Sequence, residues 1–134
     1  MTVIAIDFGE RWLGVAVGRD EPKVSMPLFT IDRNSEPDAV ARLRAAAVNE
    51  GADAIVIGAP NPLRAEPGVA ASAITQAVSV FAASLREAMP YTIEFMDERF
   101  TSNAAAVLRR DFPTADEHAL AAMLIADNYL GHRA

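Results

Sequence analysis

The stretch IAIDFGERWLGVAV, Ile4–Val17, decides the fold, because it joins two apolar segments through a short polar turn. Val3–Ile6 is a continuous apolar run typical of a short buried strand, and Asp7 closes it. Gly9 allows a tight turn, and Leu13–Gly18 alternates large and small residues as a second strand. A carboxylate at the edge of a core is costly unless a positive group compensates it. The sequence therefore predicts a hairpin whose first strand ends on an acid that needs a partner.

Strand and helix patterns alternate along the rest of the chain. Further strands are predicted over Lys23–Asp32, where Pro27 indicates a sheet edge, over Ala54–Pro60, a β-branched run typical of a central parallel strand, and over Tyr91–Met96. Helices are predicted over Glu36–Glu50, through Ile74, Val78, Phe81 and Leu85, over Ser102–Arg110, and from Thr114 to Gly131. This order predicts an α/β fold, a mixed sheet of about five strands, the first three antiparallel, with helices on both faces.

Capping residues predict the helix boundaries. Ser35 is predicted to cap the first helix and Gly51 to end it. Thr114 and Glu117 form a capping-box pattern at the start of the last helix. The buried face of the first helix is predicted to contain Val40, Leu43, Ala47 and Val48.

The composition indicates a single globular domain over residues 1–134. The chain is 51% hydrophobic and 22% charged and has no cysteine, which excludes disulfides and cysteine-rich zinc sites and fits a cytoplasmic protein. No signal-peptide pattern and no apolar run of membrane length is visible. The net charge of -6 counts against a nucleic-acid binder, but eleven of the twelve cations are arginines, which bind phosphate bidentately.

Acidic residues follow two of the predicted strands. Asp7 ends the first strand, and Asp97 and Glu98 follow the last. Ligands of open α/β sheets gather beyond the carboxyl ends of the strands, so these acids would meet if their strands are neighbours. Clustered carboxylates hold protons or bind a cation, and oxygen ligands favour Mg²⁺ or Mn²⁺. The alternative is that each acid caps a turn or the next helix, as acids at strand ends commonly do.

Four segments, DFGERWLGVAV, IVIGAP, DERFTSNAA and HALAAMLIADNYL, together resemble the YqgF/RuvX family. Its members are small bacterial proteins described as Holliday-junction-resolvase-like or as candidate nucleases of the 16S rRNA precursor, and the match covers essentially the whole chain. The resemblance implies a ribonuclease-H-like fold and a metal-dependent nuclease in which Asp7, Asp97 and Glu98 bind Mg²⁺ or Mn²⁺. Two such ions about 4 Å apart can stabilise both the attacking and the leaving oxygen of a phosphodiester.

The chain departs from the family pattern near the implied site. His118 stands in place of the family's final aspartate; it either ligates a metal, which would favour Mn²⁺, or simply packs or faces solvent. Asp116 and Asp127 are the aspartates of the last helix, but each would lie about 180–200° around the helix from His118, and Glu117 is already assigned to the capping box. Trp12 replaces a residue that is often basic; it either packs in the hairpin core, the commoner role of a large aromatic, or stacks on a base of single-stranded nucleic acid.

Substrate contacts implied by the resemblance are Arg11, Arg99, Trp12 and Arg64. Arg11 and Arg99 are candidates for phosphate contacts, although Arg99 could pair with a neighbouring acid. Arg64 lies in a loop where the family usually has an acid, which leaves the contacts of that loop open.

RNA is the expected substrate, with branched DNA as the other candidate. A junction resolvase must be a dimer with a broad basic face, which a small acidic chain supplies poorly. We therefore expect processing of the 5′ end of precursor 16S rRNA in ribosome biogenesis, by a monomer or homodimer. The alternatives are a Holliday junction resolvase in DNA repair and a non-catalytic docking module with a decayed metal site. Actin-like ATPases share the strand order but need two such domains.

Overall fold

Five strands form one mixed sheet in the computed structural model, which describes residues 1–59, 73–96 and 108–131. The elements are β1 Thr2–Phe8, β2 Trp12–Asp20, β3 Lys23–Asp32, α1 Ala39–Glu50, β4 Ala54–Gly58, α2 Ala73–Ala88, β5 Thr92–Met96 and α3 Glu117–Leu130. Residues 108–111 are also helical. The strand order is β3-β2-β1-β4-β5; β2 is antiparallel to both β1 and β3, and β4 is parallel to both β1 and β5. The predicted mixed sheet is confirmed.

Helices cover both faces of the sheet, because the strands alternate their side chains between two cores. Ile4 and Ile6 of β1 pack with Ile55 and Ile57 of β4 beneath α1 and α2. Val3 and Ala5, between them in sequence, pack on the opposite face with α3. Asp7 follows the same alternation and is the last residue of β1 on the α3 face.

The outer strand β3 is an edge, as Pro27 predicts. Pro27 lies opposite Ala16 of β2, and Phe29 lies opposite Val15, so Leu28 is an extra residue without a partner. This β-bulge interrupts the regular hydrogen-bond ladder between β2 and β3. Pro27 has no N–H to donate, which fits a strand whose outer side is unpaired.

The predicted start of α1 is wrong. The helix begins at Ala39, after Asp38, because the amides of Ser35 and Glu36 donate to the carbonyl oxygen of Asp32 and form a turn there. Pro37 also disfavours a helical Glu36. The helix ends as predicted at Gly51, which has a left-handed φ of 66°.

The predicted burial of Val48 is also wrong. Leu43 and Ala47 are buried, but Val48 is 63% exposed. One further residue rotates a side chain by about 100° around the helix, which is enough to leave the narrow stripe that packs on the sheet.

The last helix packs very closely on β2. A Cβ atom on Gly18 would lie 2.8 Å from the Cβ of Ala126, and one on Gly14 would overlap the backbone of α3 at His118. The two glycines lie four residues apart on the same face of β2, so α3 approaches the strand along much of its length. Among the helices of the described residues, none is both long and apolar enough to span a membrane.

Candidate active site

One row of residues crosses the whole sheet at the position of Asp7. From one edge to the other, the paired residues are Thr30, Gly14, Asp7, Gly58 and Met96. Glycines therefore flank Asp7 on both neighbouring strands, and no side chain competes for the space beside its carboxylate in this row. Neighbouring strands lie about 4.8 Å apart, which puts the backbone of Met96 about 10 Å from that of Asp7.

Asp7 belongs to the face of the sheet that packs against α3. A Cβ atom on Gly14 would overlap the carbonyl oxygen of His118, so Gly14 presents this face to the first turn of α3. Directly opposed residues of paired strands point to the same face, and Asp7 therefore shares the face of Gly14. Gly14, which has no side chain, therefore lies between the partly buried Asp7 and the first turn of α3.

Asp116 caps α3 and also ties it to β3. Its carboxylate accepts hydrogen bonds from the amide of His118 at 2.8 Å and from the hydroxyl of Thr30 at 3.0 Å. Burial opposes ionisation of Asp116, but these hydrogen bonds outweigh burial and lower its pKa. The predicted capping box of Thr114 and Glu117 is wrong, because the carboxylate that reaches both the helix and the sheet belongs to Asp116.

The side chain of His118 stacks on Trp12. The ring centroids are 5.9 Å apart and the ring planes are inclined by 23°. Trp12 is 36% exposed at the first position of β2, so its predicted packing in the hairpin core is wrong. Nε2 of His118 lies 3.7 Å from Oε1 of Glu117, and the His118 side chain is 31% exposed. Trp12 and His118, two of the predicted departures from the family pattern, are thus in contact with each other.

Two arginines brace the turn between β1 and β2. Arg11 donates from Nε and Nη2 to the carboxylate of Asp32, at 3.3 and 3.1 Å, and its hydrogen bond lowers the pKa of Asp32. Arg33 donates from Nη1 to the carbonyl oxygens of Gly9 and Glu10, at 2.9 and 2.8 Å. Arg11 also covers the Trp12 ring, with its guanidinium carbon 4.6 Å from the ring centroid.

Four of the predicted site residues, Arg64, Asp97, Glu98 and Arg99, lie outside the described residues. In sequence, Asp97 and Glu98 directly follow Met96, the last member of the row. Among the residues that the structure does describe, no three histidine or acidic side chains lie close enough together to hold a metal ion. Asp127 is buried near the far end of α3, about 14 Å along the helix from His118.

Gly14, Gly58 and Thr30 contribute to the site but are not among the residues predicted from the sequence. A recognisable signal exists for Gly14, because Gly14 and Gly18 are spaced by four on one face of a strand, which indicates a closely packed neighbour. The contact of Thr30 with Asp116 links residues 86 positions apart, and local spacing gives no sign of it.

Known proteins resemble this chain over most of its length. The model of the RuvX family, described as "Holliday junction resolvase", matches residues 1–132. A protein of Chloroflexus aggregans is 34% identical over 110 residues, which cover 82% of this chain and 75% of that protein. One from Chloroflexus aurantiacus is 31% identical over 137 residues, covering 98% and 87%. Both relatives are named "Putative pre-16S rRNA nuclease".

Solved structures confirm the predicted ribonuclease-H-like fold. RuvC of T. thermophilus in complex with a Holliday junction substrate has a TM-score of 0.59 at 16% identity, covering 94% of this chain and 90% of that one. The Fowlpox virus resolvase with Holliday junction DNA has a TM-score of 0.61 at 6% identity, covering 98% of each chain. These identities establish the fold alone. With the match of the family model over nearly every residue, the chain belongs to the RuvX family.

Proposed function

We propose that this protein is a divalent-metal-dependent nuclease that cleaves phosphodiester bonds in RNA. Its proposed role is to process the 5′ end of precursor 16S rRNA in the cytoplasm during ribosome biogenesis. Membership of the RuvX family supports the nuclease, and the names of the relatives from the two Chloroflexus species support the substrate.

The observation that carries the proposal is the row through Asp7. The Asp7 carboxylate lies between Gly14 and Gly58, on the face that also holds the first turn of α3 with His118. Asp97 and Glu98 are the next two residues of the chain after Met96, the outer member of the row. This topology supports a ligand set drawn from the ends of β1 and β5 and from the start of α3.

The donor chemistry of these residues fits a hard or borderline divalent cation. Carboxylate oxygens suit Mg²⁺ and Mn²⁺, and an imidazole nitrogen shifts the preference toward Mn²⁺. Asp7, Asp97, Glu98 and His118 would hold the metal. When bound, two such ions supply Lewis acidity and neutralise negative charge on the phosphodiester.

The protein residues around the metal ligands would bind and orient the substrate strand. Gly14 and Gly58 themselves contribute no side chain to the space beside the Asp7 carboxylate. Arg11 uses Nε and Nη2 to contact Asp32, so Nη1 is the nitrogen with which it would donate to a phosphate oxygen. Arg64 and Arg99 remain proposed substrate contacts.

The charge of the chain favours RNA over a four-armed DNA. The net charge is -6, and the two arginines that brace the β1–β2 turn, Arg11 and Arg33, already contact protein oxygens. Binding of long duplex arms depends on many phosphate contacts, whereas a single-stranded leader needs fewer.

Cleavage assays with matched aspartate variants test the proposal. The purified protein is incubated with end-labelled RNA carrying the 16S leader and with a four-way DNA junction, in Mg²⁺, in Mn²⁺ and in chelator. Asp7→Asn removes the proposed ligand charge, and Asp38→Asn is the control, since Asp38 is exposed beside α1 and makes no side-chain capping hydrogen bond. We expect metal-dependent RNA cleavage that Asp7→Asn abolishes and Asp38→Asn retains.

The other outcomes discriminate between the alternatives. Paired cuts in the junction would support the same metal-dependent mechanism with branched DNA as the substrate in place of RNA. Such cutting would also require a dimer. No cleavage of either substrate, with no metal-induced change in Tm, would refute the enzyme and favour a docking module.

A further inference from the structure

We propose that Trp12 is a positioning residue, which fixes the imidazole of His118 for metal binding beside Asp7. This inference rests on the proposed function. It assigns to Trp12 a role different from base stacking, and it couples Trp12 with His118, which both depart from the predicted family pattern.

Two contacts hold the backbone of His118 in place. Its amide donates to the capping carboxylate of Asp116 at 2.8 Å, and its carbonyl oxygen lies directly over Gly14. Gly14 is the cross-strand partner of Asp7, so this contact sets the distance between the first turn of α3 and the strand that carries Asp7.

The remaining freedom of His118 is rotation of its side chain, which Trp12 restricts. The near-parallel stack, with ring planes inclined by 23°, covers a face of the imidazole. Trp12 is itself held at the start of β2 opposite Asp32, beneath the guanidinium of Arg11, which Asp32 binds. Arg11 and Asp32 thus hold the indole of Trp12 in place. The indole in turn restricts rotation of the imidazole of His118.

A stacked ring is well suited to support a metal ligand. Stacking engages the π face of the imidazole and leaves both ring nitrogens, whose donor orbitals lie in the ring plane, available. Within the described residues, neither ring nitrogen of His118 has a hydrogen-bond partner, and Nε2 has an acid, Glu117, at 3.7 Å. A partner that donated a hydrogen bond to the ligating nitrogen would instead occupy the lone pair that a metal needs.

The surroundings of Trp12 count against stacking on a base. Its ring already contacts His118 and Arg11, at 5.9 Å between ring centroids and 4.6 Å from the guanidinium carbon to the ring centroid. Only about a third of the residue is exposed. A nucleobase would have to displace one of these two groups in order to stack.

Mn²⁺ binding to the full chain tests the inference without measuring cleavage. Binding is measured by calorimetry for the wild type, Trp12→Leu, which removes the ring, and Trp12→Phe, which keeps one. Phe29→Leu is the matched control, because Phe29 also lies under an arginine, Arg42 at 4.1 Å, but packs on the opposite face of the sheet. Loss of a residue that orients a ligand typically weakens metal binding 10- to 100-fold, so we expect at least about tenfold for Trp12→Leu. We expect little change for Trp12→Phe and Phe29→Leu.

A second measurement uses the wild-type indole and does not depend on the folding of a Trp12 variant. Trp12 is the only tryptophan of the sequence, so intrinsic fluorescence reports on the ring beside His118. Paramagnetic Mn²⁺ should quench this fluorescence in a saturable manner in the wild type and in Phe29→Leu. His118→Ala should shift the saturable quenching to Mn²⁺ concentrations at least about tenfold higher.

Three results would overturn the inference. One is wild-type Mn²⁺ affinity in Trp12→Leu together with weaker RNA binding in chelator, which would make Trp12 a base-stacking residue. Another is saturable quenching in His118→Ala at the Mn²⁺ concentrations that saturate the wild type. Neither of these results contradicts the proposed nuclease activity. The third is a wild-type protein that binds neither Mn²⁺ nor Mg²⁺, which would refute the inference and the proposed function together.

Discussion

Replacing Gly14 with alanine should push the first turn of α3 away from the sheet. The new Cβ would overlap the carbonyl oxygen of His118 and would lie 2.8 Å from the amide nitrogen of Ala119. Both of these atoms belong to the backbone, so no side-chain rotation can relieve the overlap. Reaching an ordinary contact distance of about 3.5 Å requires a shift of the turn by more than about 1 Å.

The size of the effect follows from the contacts that the shift would disturb. Overpacking a tightly packed core costs about 1–3 kcal/mol, and loss of the hydrogen bond between Thr30 and Asp116 adds about 1 kcal/mol. We therefore expect Gly14→Ala to lower the free energy of unfolding by about 2–4 kcal/mol. Mn²⁺ binding should weaken as well, because His118 moves with the turn.

Gly18→Ala is the matched control, because it presses on the same helix near its other end. Its Cβ would meet the Cβ of Ala126 at 2.8 Å, a side-chain contact, and we expect a stability loss of about 1–2 kcal/mol with unchanged Mn²⁺ affinity. Urea unfolding followed by circular dichroism and calorimetry with Mn²⁺ measure the two quantities. Wild-type stability of Gly14→Ala would refute the close approach of α3, and equal loss of Mn²⁺ affinity in both variants would refute the local coupling to His118.

Three further perturbations test other contacts. Asp116→Ala should lower the free energy of unfolding by about 2 kcal/mol, because α3 loses its cap and Thr30 loses its hydrogen bond. Asp38→Ala should have little effect, since Asp38 makes no side-chain capping bond, and equal Tm losses in thermal denaturation would count against this. Because the pKa of Asp116 is lower in the folded than in the unfolded chain, its ionised form stabilises the fold above pH of about 4, and this contribution is lost as the pH falls through the folded pKa. Urea midpoints of Asp116→Asn should therefore fall less steeply below pH of about 4 than those of the wild type, and parallel profiles would contradict the assignment. The hydrogen bond from Tyr129 to Glu94 raises the pKa of Tyr129 to about 12, so the neutral phenol stabilises the fold below pH of about 10 and this is lost as the pH rises toward 12. An ultraviolet titration of tyrosinate should show a component near 12 that Tyr129→Phe removes, and its persistence in the variant would assign it elsewhere.

The strands could be predicted from the sequence because each has its own local pattern. The alternation of Leu13, Val15 and Val17 with small residues predicts both faces of β2, and the apolar run that starts at Ala54 predicts a strand covered on both sides. Gly51 and Gly131 end α1 and α3 as predicted, since a left-handed terminal residue strongly favours glycine.

Helix starts could not be predicted in the same way, because tertiary contacts select among several possible caps. The last helix has Thr114 and Asp116 as local candidates, and the contact of Asp116 with Thr30 on a distant strand decides between them. The exposure of Trp12 could not be predicted either. An indole usually packs in a core, but Trp12 is the first residue of β2, at the rim of the sheet, where His118 and Arg11 cover only part of it.

The interrupted edge at β3 restricts how copies of this chain can associate. Continuous pairing with an incoming strand requires a regular series of free N–H and C=O groups, and the absent N–H of Pro27 and the bulge at Leu28 break that series. The edge nevertheless exposes apolar side chains, Val24 at 37% and Met26 at 51%. The irregular backbone thus protects this part of the chain from extending its sheet into an aggregate, and an assembly of two copies would have to use contacts between side chains rather than a shared sheet across β3.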